Sequence, residues 1–328
     1  MGLLQKTMKL ISVIIPAYNC ESFIKETLES VFNQTIGAQH LEVIVINDGS
    51  KDATLDILKE YESQDKIILV DTPNRGVSAA RETGRNLAKG EYIQYLDSDD
   101  LLTFDKIEIQ YKALKENKAD VAYGDWQKFS EKLINGNNEK ILLEKIERQI
   151  EGDEEIALFT DFWCPPAAIL YSKSIVDKIG TWNMNLPIIQ DARYFLDAAI
   201  HKGKFVYTKG VMAEYRVSEG TSLSQRHGEV KFVNDIFTNA KQVHELWKEE
   251  LAARKDKADA IISCYRYCIQ VFGIHNEKQL FEEAISKVYQ INPNFIPQKS
   301  KGMKYLSSIL GYARAERLAN TYRKTRKV

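Results

Sequence analysis

The 328-residue sequence predicts an α/β fold in which helices cover both faces of a mostly parallel sheet, followed by a helical C-terminal subdomain. Two observations predict the sheet: short continuous apolar runs end in polar turns, and each run is followed by a stretch with apolar residues at helical spacing. Continuous apolar runs are typical of strands that are buried on both faces. A third observation predicts the subdomain, because apolar residues recur only at helical spacing from about Lys231 onward.

The elements of the first 126 residues alternate regularly. The predicted strands lie at residues 9–16, 41–47, 67–70, 91–96 and 120–123. The predicted helices lie at residues 21–34, around Leu55 and Leu58, and at the small-residue segment 77–88. Because parallel strands end at one edge of a sheet, the polar turns that follow these strands should lie together and form a ligand site.

The pattern weakens after Trp126. We expect residues 127–162 to form a charged, irregular excursion over the ligand-binding edge of the sheet. Order should return at residues 166–171, with helices at 172–178 and 190–201 and short strands at 204–208 and 212–217. The sequence therefore predicts one domain at residues 1–225, divided near residue 125, and a helical subdomain with a basic tail at residues 226–328.

Composition and charge exclude several classes of protein. The net charge of −1 provides no basic excess for binding nucleic acid. The four cysteines form no CxxC pair and have no histidine at metal-ligand spacing, which excludes a zinc site and indicates a reducing compartment. The first ten residues lack the apolar core of a signal peptide, and no apolar run reaches transmembrane length. We therefore expect a cytoplasmic protein.

An apolar strand runs directly into three carboxylates within residues 91–100. Side chains two residues apart on a strand point the same way, so Asp97 and Asp99 can converge on one cation. Carboxylate oxygens suit Mg²⁺ or Mn²⁺. The structural alternative is a polar turn that caps a helix beginning near Leu101.

Four segments in order resemble the family 2 glycosyltransferases of the GT-A fold, over roughly residues 9–225. The segments are Ser12–Asn19, Asn47–Asp52, Asn74–Arg81 and Leu96–Asp100. The resemblance implies inverting transfer of a sugar from a nucleotide diphosphate with assistance from Mg²⁺ or Mn²⁺. It also implies a donor half at about 9–125 and an acceptor half at about 126–225.

The resemblance assigns the donor site. Pro16, Ala17 and Tyr18 would line the nucleoside pocket, with the tyrosine ring against the base. Asp48 would accept a hydrogen bond from a uracil-type N–H, and Arg81 would meet the ribose or the diphosphate. The structural alternatives are that Tyr18 only packs, that Asp48 only holds its turn, and that Arg81 only pairs with Glu82 or Asp48.

The resemblance also assigns the chemistry. Asp99 would be the main metal ligand, with Asp97 reaching the ribose or the ion and Ser98 beside the donor. Asp191 would be the base that takes the proton of the acceptor, although Gln190 stands where the family usually has glutamate. The alternative for Asp191 is a helix cap.

The acceptor side is assigned more coarsely. Trp163 and Trp182 fall in the region that should contact the acceptor, since flat aromatic faces stack on sugar rings, and the alternative for each is a core residue. Tyr215-Arg216 matches a Tyr-Arg of the family, which puts Arg216 on the acceptor side, whereas Ser218 stands where histidine is often expected. The Gln-x-x-Arg-Trp motif of processive synthases is absent from the sequence, which favours transfer of single sugars to a saccharide or lipid-linked acceptor.

Two other classes of function are alternatives to a glycosyltransferase. A dinucleotide-dependent dehydrogenase is excluded because the first turn, at residues 16–20, has no glycine that would admit a pyrophosphate. A catalytically silent nucleotide-sugar binding module stays open as the alternative, and Gln190 is the feature that favours it.

The C-terminal tail is basic and amphipathic. Residues 298–328 contain nine Lys or Arg residues and one Glu, hence a net charge of +8. Apolar residues run along one side of a predicted helix, namely Leu306, Ile309, Leu310 and Ala313. Such a tail can lie on the anionic inner face of a membrane, and a solvated terminal helix is an equal alternative. The sequence is also compatible with a homodimer.

Overall fold

A computed structural model describes residues 10–134, 137–217, 229–298 and 300–325; the side chains of 133, 134, 137, 138, 324 and 325 are not described. The chain forms two compact units, Met1–Ser222 and Leu223–Val328. The predicted Ser218 position and the predicted division at residue 225 lie outside the described residues. The division of function between the two domains stays a prediction.

Four parallel strands form one half of the sheet of the first unit. They are β1 (Ile11–Ala17), β2 (Leu41–Asp48), β3 (Ile68–Thr72) and β4 (Tyr92–Tyr95), in the spatial order β3-β2-β1-β4. The helices α1 (Ile24–Phe32), α2 (Thr54–Glu62) and α3 (Val77–Leu87) connect them, and a 3-10 turn at Ala38–His40 precedes β2. Every residue of β1 and β2 is buried, as the continuous apolar runs predict.

The helix α3 packs unusually close to the sheet because it carries Gly84. A Cβ atom at this position would lie 2.3 Å from Cγ2 of Ile14 and 2.9 Å from Cδ1 of Ile46. A larger residue would therefore push α3 away from β1 and β2, and with it the side chains that α3 presents at the ends of these strands.

The other half of the sheet mixes strand directions. Its elements are β5 (Leu101–Leu102), α4 (Lys106–Asn117), β6 (Val121–Ile134), β7 (Asn137–Ile146), α5 (Glu154–Thr160), a 3-10 turn at Pro166–Ala168, β8 (Ile169–Ser172), α6 (Lys173–Ile179), α7 (Gln190–Ile200) and β9 (Phe205–Arg216). The strand β8 is antiparallel to both β4 and β6, and β9 is parallel to β6 and antiparallel to β5. The predicted α/β class is confirmed, with parallel pairing concentrated in the first half.

Two predictions about local structure, and one structural alternative, are wrong. Residues 127–162 are not irregular, because β6 and β7 form a long antiparallel hairpin and α5 follows it. Only one face of such a hairpin needs to be covered, so charged and polar residues interrupt its apolar ones, and its apolar stretches are no longer than the three residues 141–143. The strands predicted at 204–208 and 212–217 are one strand, β9, whose register shifts opposite Asp125. No helix starts at Leu101, which pairs with Glu214 in the sheet, and α4 begins at Lys106.

The second unit is helical within the residues described. Its helices are α8 (Val230–Trp247), α9 (Lys255–Ile274), α10 (Lys278–Ile291), α11 (Lys301–Leu310) and α12 (Tyr312–Thr325). Phe237, Tyr265 and Phe272 form an aromatic cluster between α8 and α9. Among the helices of the described ranges, none combines the length and the apolar character needed to cross a bilayer.

Candidate active site

The ends of the parallel strands gather four segments at one edge of the sheet. We call these segments the rim: residues 17–21 after β1, 48–54 after β2, 74–81 at the start of α3, and 96–100 after β4. Hydrogen bonds tie the first two segments together. The backbone N–H of Asn19 donates to Ser50 Oγ at 3.0 Å, and the N–H of Lys51 donates to Asn19 Oδ1 at 2.8 Å. The rim is therefore a built structure, and the side chains on it have fixed relative positions.

The residues predicted to line the nucleoside pocket lie on this rim. Pro16 and Ala17 are buried at the end of β1, where their backbone pairs with β2. Tyr18 follows directly and is 47% exposed, so its ring offers an open face to a ligand. A residue that only packed in the core would be covered, and the exposed ring is consistent with stacking on a nucleobase.

Asp48 holds the turn at the start of α3. Its Oδ1 accepts the N–H of Arg75 and its Oδ2 accepts the N–H of Gly76, both at 2.8 Å. Gly76 has a φ of 90°, a conformation that favours glycine. The structural alternative considered for Asp48 is thus present in the molecule. It does not displace the donor-binding assignment, because each carboxylate oxygen can accept a second hydrogen bond.

Arg81 is buried and forms an ion pair with Asp97, so its partner is neither of the two carboxylates expected from the sequence. Its Nη2 donates to Asp97 Oδ1. Its Nε and Nη1 have no hydrogen-bond partner among the described residues. A buried guanidinium with unused donors is costly unless an anion completes it. Arg81 thus keeps two buried guanidinium nitrogens whose hydrogen-bonding capacity is unused within the described part of the chain.

The carboxylates after β4 lie in a tight turn, closed by the N–H of Asp100 donating to the carbonyl of Asp97 at 3.2 Å. Thr27 of α1 donates to the carbonyl oxygens of Ser98 and Asp100. Burial and, secondly, the neighbouring charge of Asp97 together raise the pKa of Asp99 to about 6. Burial also raises the pKa of Asp100 well above its usual range. The charged forms of these carboxylates are thus unfavourable in the folded protein as long as no cation compensates them.

This carboxylate pair fits a hard divalent cation. Asp97 and Asp99 are both half-buried, and their oxygens are the ligands that Mg²⁺ and Mn²⁺ prefer. Within the described part of the chain, no group of three or more His, Cys, Asp or Glu side chains is arranged to hold a metal. Two carboxylates suit Mg²⁺ nevertheless, because this ion is usually bound through one or two carboxylates together with substrate phosphates. Asp97 and Asp99 would therefore hold the ion jointly with the substrate.

Asp191 lies in the first turn of α7 and is oriented by Trp163. The indole Nε1 of Trp163 donates to Asp191 Oδ2 at 3.0 Å. Burial raises the pKa of Asp191; the charge of Arg81 opposes this shift and that of Asp97 adds to it. These interactions place Asp191 near the rim. A carboxylate with a raised pKa that is held in a fixed orientation is suited to accept a proton.

The two predicted acceptor-side tryptophans differ in environment. Trp163 is half-buried and meets the rings of Trp126 and Tyr215 edge-on. Trp182 is buried and stacks on Tyr194, with ring centroids 4.0 Å apart, and the guanidinium carbon of Arg81 lies 4.7 Å from its ring centre. Trp182 therefore supports Arg81 and α7 from within, and Trp163 retains some exposed surface.

Several interactions at the site were not anticipated from the sequence. The indole Nε1 of Trp182 and the Oε1 of Gln190 are buried and find no hydrogen-bond partner in the described ranges. Arg216 contacts the loop after β4 instead of presenting a free guanidinium, since its Nε donates to the carbonyl of Asp99 at 2.8 Å. Glu26 and Glu131, which pair with Arg216, carry no motif that distinguishes them from ordinary surface carboxylates.

Two solved structures illustrate the fold that this chain shares. The chain superposes on S. aureus TarS 1-349 in complex with UDP-GlcNAc with a TM-score of 0.68, covering 96% of this chain and 92% of that chain at 19% identity. It superposes on the mannosyltransferase PcManGT from Pyrobaculum calidifontis in complex with GDP-Man and Mn²⁺ with a TM-score of 0.56, covering 96% and 87% at 15% identity. At these identities the likeness establishes the fold, which is of the GT-A class.

The sequence profile of glycosyl transferase family 2 matches residues 12–180, which is more than half of the chain. The protein belongs to this family. Glycosyltransferase GlyA of Streptococcus pneumoniae is 41% identical over 122 residues, which are 37% of this chain and 17% of GlyA. Poly(ribitol-phosphate) beta-glucosyltransferase of Bacillus spizizenii is 38% identical over 117 residues, which are 35% of this chain and 18% of that protein. The chain thus spans less than a fifth of the length of either relative.

Proposed function

We propose that this protein transfers single sugars, with inversion, from a nucleotide diphosphate donor to a saccharide or lipid-linked acceptor, assisted by Mn²⁺ or Mg²⁺. The observation that carries the proposal is Arg81, whose buried guanidinium pairs with Asp97 and keeps two nitrogens without a described partner. A diphosphate would accept hydrogen bonds from the guanidinium, and it would also coordinate a cation held by Asp97 and Asp99. The UDP-GlcNAc complex of TarS supports a UDP sugar as the donor.

The rim residues would divide the donor between them. Tyr18 would stack on the base, and Asp48 would accept a base N–H with the lone pairs that its turn leaves unused. Arg81 would contact the diphosphate. A bound divalent cation would supply positive charge that stabilises the departing nucleoside diphosphate by several kcal/mol of barrier, on the order seen for metal-ion catalysis.

Asp191 would carry the proton transfer. The acceptor hydroxyl gives its proton to Asp191 Oδ1 while its oxygen bonds to the anomeric carbon from the face opposite the diphosphate. The bond between the anomeric carbon and the phosphate oxygen breaks, and the nucleoside diphosphate leaves with the electron pair. Trp163 would keep the carboxylate oriented throughout, because its N–H holds the other oxygen.

A screen of nucleotide sugars by thermal shift tests this proposal. We expect UDP sugars to raise the melting temperature when Mn²⁺ is present and to have little effect after EDTA treatment, because a ligand that binds only the folded state stabilises it. An acceptor screen that monitors release of nucleoside diphosphate then separates an enzyme from the alternative, a catalytically silent binding module. Donor binding without release on any acceptor would favour that module, for which the neutral Gln190 remains the supporting feature.

The names of the relatives suggest where the acceptor belongs. One relative is a poly(ribitol-phosphate) glucosyltransferase, and another, 40% identical over 112 residues, is the minor teichoic acid biosynthesis protein GgaB of Bacillus subtilis. These names support an acceptor in cell-surface polysaccharide or glycoconjugate synthesis. Action in the cytoplasm or at the inner face of its membrane, and a homodimeric state, stay predictions.

We further propose that the C-terminal helices contact an anionic membrane surface. The tail is two helices joined at Gly311, and the predicted stripe is partly covered because Leu306, Leu310 and Ala313 are half-buried. A different face is exposed. It consists of Lys301, Tyr305 and Ile309 on α11 and of Arg314, Leu318 and Tyr322 on α12, each set spaced one turn apart. A row with a cation followed by apolar and aromatic residues suits the boundary between lipid headgroups and acyl chains.

Cosedimentation with vesicles tests this contact. We expect the full chain to bind vesicles that contain phosphatidylglycerol, less at high salt, and to ignore vesicles of phosphatidylcholine alone. Replacing Ile309 and Leu318 with serine should weaken binding about tenfold or more, because each apolar side chain contributes roughly 1.5–3 kcal/mol when buried. The control is Leu246→Ser, since Leu246 is 51% exposed on α8. Equal binding by the double variant and the control would contradict the proposal.

A further inference from the structure

Arg216 is the last residue of β9, which ends at the candidate site. Its guanidinium is nevertheless enclosed by other groups of the protein. The side chain is 3% exposed. Each of its three nitrogens has a partner: Nε donates to the carbonyl of Asp99, Nη1 to Glu131, and Nη2 to Glu26 at 2.5 Å. The rings of Phe23 and Phe129 lie against the guanidinium, with the guanidinium carbon 4.7 and 4.5 Å from their centres.

These contacts come from separate parts of the chain. Glu26 belongs to α1, Glu131 to β6 and Asp99 to the turn after β4. The two glutamates are partly exposed, at 47% and 32%, whereas the arginine between them is buried. Removing one partner of such a network leaves a buried charge without compensation, so the arrangement persists only if all partners stay in place. Arg216 is therefore the point at which three elements are fixed to one another.

Arg216 makes two hydrogen bonds to the turn that carries Asp99, the predicted metal ligand. Besides the bond from Nε to the Asp99 carbonyl, the backbone N–H of Arg216 donates to Asp100 Oδ1 at 2.9 Å. The Asp99 carbonyl and the side chain of the next residue, Asp100, are thus held in place, while the Asp99 carboxylate takes part in neither bond.

From this geometry we infer that Arg216 is a positioning residue that sets the direction of the Asp99 carboxylate, and that it acts on cation binding without touching substrate. This inference rests on the proposed function, because it presumes that Asp99 binds the cation. It replaces the expectation that Arg216 meets the acceptor, since every nitrogen of its guanidinium already donates within the protein. Groups that support a ligand in this way commonly change metal affinity by about 10–100-fold when they are removed.

The test measures Mn²⁺ binding directly, by electron paramagnetic resonance of free Mn²⁺ in the presence of UDP. We expect Arg216→Lys to raise the Kd for Mn²⁺ by about 10–100-fold, because lysine keeps the charge but has no Nε at the position that reaches the Asp99 carbonyl. Affinity for UDP without metal should not change. At saturating Mn²⁺, the kcat should recover toward that of the parent protein, so the defect should appear in the concentration of Mn²⁺ required.

Two further variants separate positioning from general stability. Glu26→Gln removes a charge from the network but leaves the bond to the Asp99 carbonyl, and we expect less than half of the effect of Arg216→Lys on the logarithm of the Kd. Arg148→Lys is the control, since Arg148 forms an exposed ion pair with Asp161 and should leave Mn²⁺ binding unchanged. Should Arg216→Lys fail to fold, the inference is judged on Glu131→Gln, which loosens the same network from β6 and should also raise the Kd.

The possible results distinguish this inference from the proposed function. If the parent protein binds no Mn²⁺ in the presence of UDP, the proposed function fails and the inference fails with it. If the parent binds Mn²⁺ and a folded Arg216→Lys binds it equally well, the inference alone is wrong. A lower melting temperature in Arg216→Lys with unchanged Mn²⁺ affinity would likewise reduce Arg216 to a structural residue.

Discussion

Replacing Asp191 with asparagine should lower kcat by roughly 10²–10⁴-fold and leave the affinity for the donor nearly unchanged. Asparagine keeps the shape of the side chain and can accept the indole N–H of Trp163 with its own carbonyl oxygen, but it cannot take a proton. The measurement is release of nucleoside diphosphate by both proteins with a working acceptor, together with calorimetry of the donor.

The control for this variant is Asp197→Asn on the same helix. Asp197 lies six positions after Asp191 and forms an ion pair with Arg193, so its replacement should change stability more than rate. The pH dependence provides a second criterion. Because burial raises the pKa of Asp191, kcat/KM of the parent should fall as the pH drops through that raised value, and Asp191→Asn should lack this decrease. Near-normal kcat in Asp191→Asn would reduce Asp191 to a helix cap.

Replacing Asp99 with asparagine should abolish metal-dependent donor binding and, in the absence of metal, make the protein more stable. Burial beside Asp97 raises the pKa of Asp99 to about 6, so the charged form is unfavourable in the folded protein. The folded state therefore holds this proton up to a higher pH than the unfolded state, and the stability of the parent falls as the pH rises from about 4 to about 6. Asparagine removes that penalty. The difference in the free energy of unfolding between the variant and the parent should therefore grow through this pH range and stay constant above it.

Thermal melts across this pH range and calorimetry with Mn²⁺ check both effects. The control is Asp177→Asn, since Asp177 forms an exposed ion pair with Lys173 and should change neither quantity. Loss of donor binding together with a lower melting temperature at pH 7 would mean that Asp99 supports the fold. Unchanged affinity for a UDP sugar with Mn²⁺ present would show that Asp99 is not the metal ligand.

The parallel half of the fold could be predicted because its signals are local. Each of the first four strands is a short apolar run, and each ends in a polar turn that the topology brings to the rim. The hairpin β6–β7 could not be predicted in the same way, because a strand covered on one face has no continuous apolar run and its partner is specified by pairing at a distance.

The residues of the candidate site likewise differ in whether local sequence predicts their positions. Asp48, Asp97 and Asp99 follow strands directly, so their positions could be predicted from sequence order. The partner of Arg81 could not, because a guanidinium can reach several carboxylates and the choice depends on how closely α3 approaches the sheet. The role of Arg216 depends on Glu26 and Glu131, which lie 190 and 85 positions away in the chain. No local pattern records such a contact.

Asp48 would both bind the base and hold the loop before α3, and this limits how the preference for a donor nucleotide can evolve. The same carboxylate that would read the base also anchors the N–H groups of Arg75 and Gly76, immediately before the helix that carries Arg81. An exchange to asparagine would turn an amide N–H₂ toward a backbone N–H, so the loop would lose an anchor and the position of Arg81 would change with it. Selection for a different nucleotide therefore cannot proceed through this position in one step. It requires compensating changes in the loop at 74–76, so the preference for a base and the position of Arg81 would have to change together.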